Sequence, residues 1–221
     1  MKNLILILIF SLVSFFPSFA QSIKEGYVKY EVSSVKGEGM AINALKGAKQ
    51  TMFFSKKFTK ISNDMQRGIA KTDVVIDNKT KKNTLITSGI ALGKNVVSYG
   101  MEDPTGKKAT KYKISYESKV TKKIIGYTCT KAILKSETSE ITLWITDKVA
   151  PTNSPFFQQF PELKGFPLEF EVTQESGRAT FTATEIGSKV DKAEFAIPTK
   201  KDGYEQMTMA EFEAMLQKKG Q

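Results

Sequence analysis

Histidine is absent from the 221 residues of this chain. With it go the Ser-His-Asp and Cys-His nucleophile systems, the usual general base near neutral pH, and the commonest ligand of zinc and copper. Cys129 is the single cysteine, so no internal disulfide can form. In an oxidising compartment a lone thiol is either buried or free for an intermolecular bond. Burial is the expectation, because unpaired cysteine behaves as a small hydrophobe. Arginine is nearly missing too: only Arg67 and Arg178 occur, although the formal charge is +10. The excess is lysine, which lacks the planar fork that reads phosphate and guanine. Nucleic acid is therefore not an expected partner, and the lysines read first as a solvated surface that blunts strand edges; the alternative is weak attraction to anionic headgroups or polysaccharides. A carboxylate-only or lysine-only enzyme stays chemically open, but no motif for either is present. Ser33 and Lys36 have the spacing of some acyl enzymes, yet they stand before Gly37 and Gly39 in what reads as a loop. The chain is expected not to be an enzyme and to hold no cofactor or metal.

What is present begins with an address. Lys2 precedes an unbroken apolar run from Leu4 to Phe10, nearly continued by Leu12 to Phe16, and Pro17-Ser18-Phe19-Ala20 lead into Gln21. Those are the three regions of a secretory signal peptide, with cleavage expected after Ala20. The domain reading is thus a signal over 1–20 and one domain over 21–221. Pro17 interrupts the run, which makes it a poor membrane span, and no Cys stands at the cut to carry a lipid anchor. The mature protein is expected in the periplasm or outside the cell and not to span a membrane.

Period-two alternation dominates the rest. Val28, Tyr30 and Val32 alternate with Lys29 and Glu31; Tyr112, Ile114 and Tyr116 with lysines and Ser115; Phe166, Leu168, Phe170 and Val172 with Glu169 and Glu171. Phe58 to Met65 and Ile69 to Asp77 read as paired strands around Gly68. Tyr127 to Leu134 and Ile141 to Thr146 read as a hairpin, and Glu175-Ser176-Gly177-Arg178 as a tight turn. Two segments depart from strand pattern: residues 39–49 read as a short helix or loose apolar lid, and Thr208 and Glu211 form a capping-box pair before a C-terminal helix. Pro151 to Pro167 is expected to be an irregular, aromatic-rich loop. The fold class is mainly β (α+β): a curled antiparallel sheet or half-barrel of about ten strands, with a short helix after the first strand and a C-terminal helix.

The block Lys122-Lys123-Ile124-Ile125-Gly126-Tyr127-Thr128-Cys129, followed by Trp144 and then by Gly165-Phe166-Pro167-Leu168-Glu169-Phe170, resembles a group of uncharacterised exported bacterial proteins of the GLPGLI-like type. Here Gly165-Phe166-Pro167-Leu168 lacks the second glycine of that group's signature, which brings it nearer a sister family of unknown function. The resemblance implies a lipoprotein-carrier-like (LolA-like) half-barrel with an apolar cavity, and no reaction. Gly126 would permit a bend between two strands, and Cys129 and Trp144 could meet on one face.

The expected function is an exported, non-enzymatic binding or carrier module for a lipid or acyl chain in the cell envelope. Trp144, Phe156, Phe157, Leu168 and Phe170 are the candidate ligand-binding residues. The alternative is a structural or interaction protein of the envelope whose cavity is filled by its own side chains, with another envelope protein as partner.

Overall fold

A computed structural model describes residues 22–99, 111–137, 139–174 and 177–219. The expected signal peptide lies outside them, as do Glu175 and Ser176 of the expected turn. In chain order the elements are β1 (Gly26–Gly37), α1 (Met40–Asn43), β2 (Lys49–Phe54), β3 (Phe58–Met65), β4 (Ala70–Asp77), β5 (Asn83–Ser88), β6 (Asn95–Tyr99) and β7 (Lys113–Ile124). They continue with β8 (Tyr127–Lys135), β9 (Glu140–Thr146), α2 (Pro155–Gln159), β10 (Phe166–Gln174), β11 (Gly177–Gly187), β12 (Glu205–Met207) and α3 (Met209–Lys219). All twelve strands join one mainly antiparallel sheet, in the order β12-β6-β5-β4-β3-β2-β1-β11-β10-β9-β8-β7. The sheet is open and curled: β7 returns towards β11, four places away in the strand order. β12 departs from the antiparallel rule and runs parallel to β6.

Directly opposed residues of paired strands share a face, so the registers trace two neighbouring rows across the sheet. One row is Val32–Phe181–Phe170–Leu143–Ala132–Tyr116. It is dry, and its members pack in or against the main core. The next row is Lys71–Asp64–Lys49–Glu31–Thr182–Glu169–Trp144–Lys131–Glu117. It is wet and alternates in sign, with ion pairs Lys49–Glu31 at 2.8 Å, Lys131–Glu117 at 3.3 Å and Lys71–Asp64 at 3.4 Å. Such exposed pairs contribute roughly 0.2–1 kcal/mol each. The stabilisation comes from the dry, inner face.

On that face Tyr30 is fully buried, and its hydroxyl donates to the Pro167 carbonyl at 2.8 Å. α1 spans four residues, and it and the turn after it bury Ile42, Leu45 and Ala48 beside β1 and β11. The outer face of β3–β6 has a smaller core of Val75, Ile86 and Val96 with Phe58 and Tyr204. It is roofed by the segment after β11, where Phe195 stacks on Phe58 at 5.8 Å. α3 starts at the expected capping box: Thr208 N–H and Oγ donate to Glu211 Oε2 at 2.7 and 2.8 Å, and Glu211 N–H donates back to Thr208 Oγ at 3.3 Å.

Three expectations need correction. Ser33 and Lys36, expected in a loop, lie within β1, whose pairing with β11 runs on to Gly37. The strand count rises from about ten to twelve, because β2 hides its alternation: its outward Phe53 is apolar, resting near Tyr27 and under the Lys60 ammonium. β12 is only three residues long, too short to show a period. Residues 155–159 form a helical turn inside the segment expected to be irregular, begun by Pro155 and capped by Ser154 Oγ, which accepts the Phe156 N–H at 3.2 Å.

The β7–β8 turn is strained. Ile125 has φ 43° and Gly126 φ 87°, the pair of positive values that a two-residue hairpin loop requires. Glycine adopts this freely, but a β-branched residue there costs about 1–2 kcal/mol. Ile125→Asn is expected to stabilise the fold by about 1 kcal/mol, read as a raised thermal midpoint. Tyr30→Phe strips the Pro167 carbonyl of its donor and should cost about 1–3 kcal/mol in denaturant unfolding; an unchanged midpoint would show that this carbonyl has another partner.

Candidate functional site

Four of the five sequence-predicted site residues come together. Leu168 is fully buried and Phe170 nearly so. Phe170 stacks on Phe181 with centroids 5.3 Å apart and planes 4° from parallel. Phe156 stands edge-on to Phe170 at 5.2 Å and to Phe166 at 5.8 Å, and Phe157 meets Phe166 at 6.4 Å. The four are placed by two elements, the alternation of β10 and the short α2. Their inner face is occupied by the protein's own rings.

Trp144 does not join them. Leu143 is the partner of Phe170 in the register, so the next residue along β9 points to the other face, opposite Glu169 and Lys131. There the Lys122 ammonium lies 4.5 Å from the Trp144 ring centroid and 2.5 Å from Glu169 Oε1, while Thr182 Oγ donates to Glu169 Oε2 at 2.8 Å. The clamp from Lys122 on β7 to Glu169 on β10 passes over β8 and β9. Cys129 is directly opposite Lys122 and shares this face with Trp144. Lys122, Trp144 and Glu169 therefore converge on a cation–π and ion-pair clamp over the outer face, with the Cys129 thiol on the same face. Cys129 is fully buried, and burial pushes its thiol pKa up from 9.0 to about 11, against a smaller lowering by the Lys122 charge.

An open cleft of about 600 Å³ lies at the end of β7–β9. Tyr116, Tyr127, Thr130 and Ile145 line it, as do Lys148, Lys164 and Asp147, whose carboxylate lies 3.5 Å from the Lys148 ammonium. Its loop wall is fixed by Tyr116, whose hydroxyl donates to the Glu162 carbonyl and accepts the Lys164 N–H, both at 3.0 Å. Gly165 lets that loop approach β9: a Cβ there would stand 3.0 Å from the Thr146 carbonyl oxygen and 3.2 Å from the Ile145 side chain. Sequence reasoning missed this lining. Tyr116 and Tyr127 were legible as strand residues, and Lys164-Gly165 lay beside the resembling segment, but nothing in the sequence shows that two strands and a loop part there. Two tyrosines and an aliphatic side chain, with ammonium groups among them, can hold an apolar body with an anionic end. Among the described residues no cluster of three or more His, Cys, Asp or Glu side chains could hold a metal, and no helix is long and apolar enough to cross a membrane.

No family model matches this chain, and no curated protein does. Among solved structures it is similar to PNGF-II, at 15% identity and a TM-score of 0.49, over 88% of this chain and 33% of that one. The chain thus spans about a third of the length of PNGF-II. It is similar to the hypothetical protein CT021 from Chlamydia trachomatis, at 12% identity and a TM-score of 0.40, over 81% of this chain and 95% of that one. It is also similar to the Mycobacterium tuberculosis lipoprotein LppX, at 10% identity and a TM-score of 0.30, over 76% of this chain and 89% of that one. At such identities the likeness concerns the fold alone.

The thiol offers a direct check. With its pKa raised to about 11, the native protein should react slowly with a thiol reagent at pH 8 and the unfolded chain fast. A thiol held neutral by burial stabilises the fold below the unfolded pKa, and that contribution is lost as pH rises through the folded value. Stability should therefore fall between the ordinary value of 9.0 and about 11, and less so in Cys129→Ser. That substitution should itself cost about 1–3 kcal/mol by placing a hydroxyl in an apolar site. Rapid native labelling at pH 8 would show the sulfur to be accessible.

Proposed function

We propose that this protein is an exported, non-enzymatic binding module of the cell envelope that carries an amphiphile with an apolar body and an anionic head, such as an acyl chain ending in a carboxylate. The observation behind this reading is the open cleft of about 600 Å³ lined by Tyr116, Tyr127 and Ile145 together with Lys148 and Lys164, whose two ammonium groups outnumber the one Asp147 carboxylate there. The body would lie against the tyrosines, and the head would meet the two ammonium groups in charge-assisted hydrogen bonds. A longer chain would have to displace Phe156 and Phe157, which are only half-buried and sit on a five-residue helix; that is the role this reading leaves to α2. Export is the expectation from residues 1–20.

A second reading is favoured by a different observation. Phe166 and Leu168 are fully buried, and Phe160 and Leu163 nearly so, so the aromatic segment already fills the inner face of β10. On that reading the protein is a structural or interaction component of the envelope.

Titration with a fluorescent fatty acid separates the two. Saturable, stoichiometric binding is expected, weakened at least about tenfold in the double variant Lys148→Glu/Lys164→Glu through loss of two charged contacts. Binding of the matching fatty alcohol should be nearly unaffected by that variant. A folded wild type that binds neither probe would establish the self-filled protein instead.

A further inference from the structure

The strands end in two rims, and one of them groups five lysines on two joined turns. At the rim where β1 begins, the β2–β3 turn carries Lys56 and Lys57, and the β4–β5 turn carries Lys79, Lys81 and Lys82. All five are exposed. The two turns are locked together by Asn78, nearly buried, whose backbone N–H donates to the Lys57 carbonyl at 2.9 Å and whose side-chain amide donates to the Ser55 carbonyl at 3.1 Å. The lysines are therefore held on a fixed base, not on independent loops. Of the carboxylates on this rim, Asp77 accepts the Lys79 and Thr80 N–H groups at 2.9 Å each, Glu25 accepts the Lys56 N–H at 3.2 Å, and exposed Asp147 pairs with the Lys148 ammonium at 3.5 Å, away from the two lysine turns.

The same rim carries the strained β7–β8 turn. Ile125, at its tip, is 41% exposed, and Lys123 beside it is exposed as well. The cleft reaches this rim too, since Gly126, Asp147 and Lys148 line it. The chain leaving that lining runs back to the lysine turns, where Thr59 Oγ donates to the Asn153 carbonyl at 2.9 Å and the Lys81 ammonium to Asn153 Oδ1 at 3.4 Å. The opposite rim has basic residues as well, Lys36, Lys46 and Arg67 among them, but there Glu38, Glu137 and Glu140 are exposed between them.

We infer that the rim bearing Lys56, Lys57, Lys79, Lys81 and Lys82 docks on an anionic lipid bilayer, with Ile125 as its apolar contact. Lysines on a rigid base suit this partner. Each is a hydrated point charge that needs no bidentate geometry, and a phosphate-rich surface presents charge without sequence or shape. An exposed aliphatic side chain beside a lysine is the pairing that the headgroup boundary accepts. The backbone strain at Ile125 is consistent with selection for contact over stability. The inference rests on the charge of the rim and not on what the cleft holds. It would, however, bring the cleft's edge to the surface that is the source of amphiphiles.

Co-sedimentation of the whole protein with vesicles tests it. Binding is expected to mixed phosphatidylcholine–phosphatidylglycerol vesicles at low salt, to fall steeply as salt rises, and to be weak on pure phosphatidylcholine. The triple variant Lys56→Glu/Lys79→Glu/Lys82→Glu should lower partitioning at least about tenfold. The charge-matched variant Lys36→Glu/Lys46→Glu/Arg67→Glu, on the opposite rim, should keep most of it. Ile125→Asn should weaken vesicle binding while raising the thermal midpoint, a pairing that misfolding cannot produce. Equal losses from the two triple variants, equal binding to both vesicle types, or retention on a sulfated polysaccharide without vesicle binding would each overturn the inference. These outcomes are independent of the fatty-acid titration, so either reading can fail alone.

Discussion

Phe170 is the contact on which the inner face depends. It stacks on Phe181, meets Tyr30 edge-on at 5.3 Å and receives Phe156 at 5.2 Å. Through those three rings it joins β10 to β11, β1 and the covering helix. Parallel rings offset at 5.3 Å, as for Phe170 and Phe181, and edge-on contacts, as to Tyr30 and Phe156, are the arrangements that ring quadrupoles favour. Because side chains alternate at a period of two, fixing Phe170 inward fixes Glu169 and Glu171 outward. The dry and wet rows that cross the sheet follow from that one parity.

The outer row shows what such a parity leaves for chemistry. Lys122, Trp144, Glu169 and Thr182 come from four strands and close into a single clamp above buried Cys129. Its parts interact through charge, a ring face and one hydroxyl, and the clamp ties β7 to β10. This gives Lys122, Trp144 and Glu169 a structural role, while the open cleft lies at the strand ends and is walled partly by other residues. The clamp and the cleft are thus separate features: the first spans β7 to β10 on the outer face, and the second lies where the strand ends meet the 162–165 loop.

Much of the strand pattern was legible because alternation reports burial on one face directly. β3, β4, β8, β9 and the β10–β11 pair all fall where the alternation puts them. α3 was legible from Thr208 and Glu211, since a capping box is a local hydrogen-bond device. β2 was not, because Phe53 finds aromatic and lysine neighbours on the outer face and blurs the period. The candidate site was half legible. Leu168, Phe170, Phe156 and Phe157 do gather, yet they gather against one another. Trp144 was misplaced because adjacency to apolar residues on β9 says nothing of which face it takes until the partner strand is known.

The class of structure was readable from composition and local spacing, because alternation demands a sheet with one dry face. Where the cleft and the lysine rim lie was not. Register between distant strands chose Leu143 over Trp144 as the neighbour of Phe170, the Tyr116 hydroxyl fixed the loop that walls the cleft, and Asn78 bound two lysine turns together. Each of these joins residues far apart in the chain, so its energy is set by pairing geometry that no window of sequence contains.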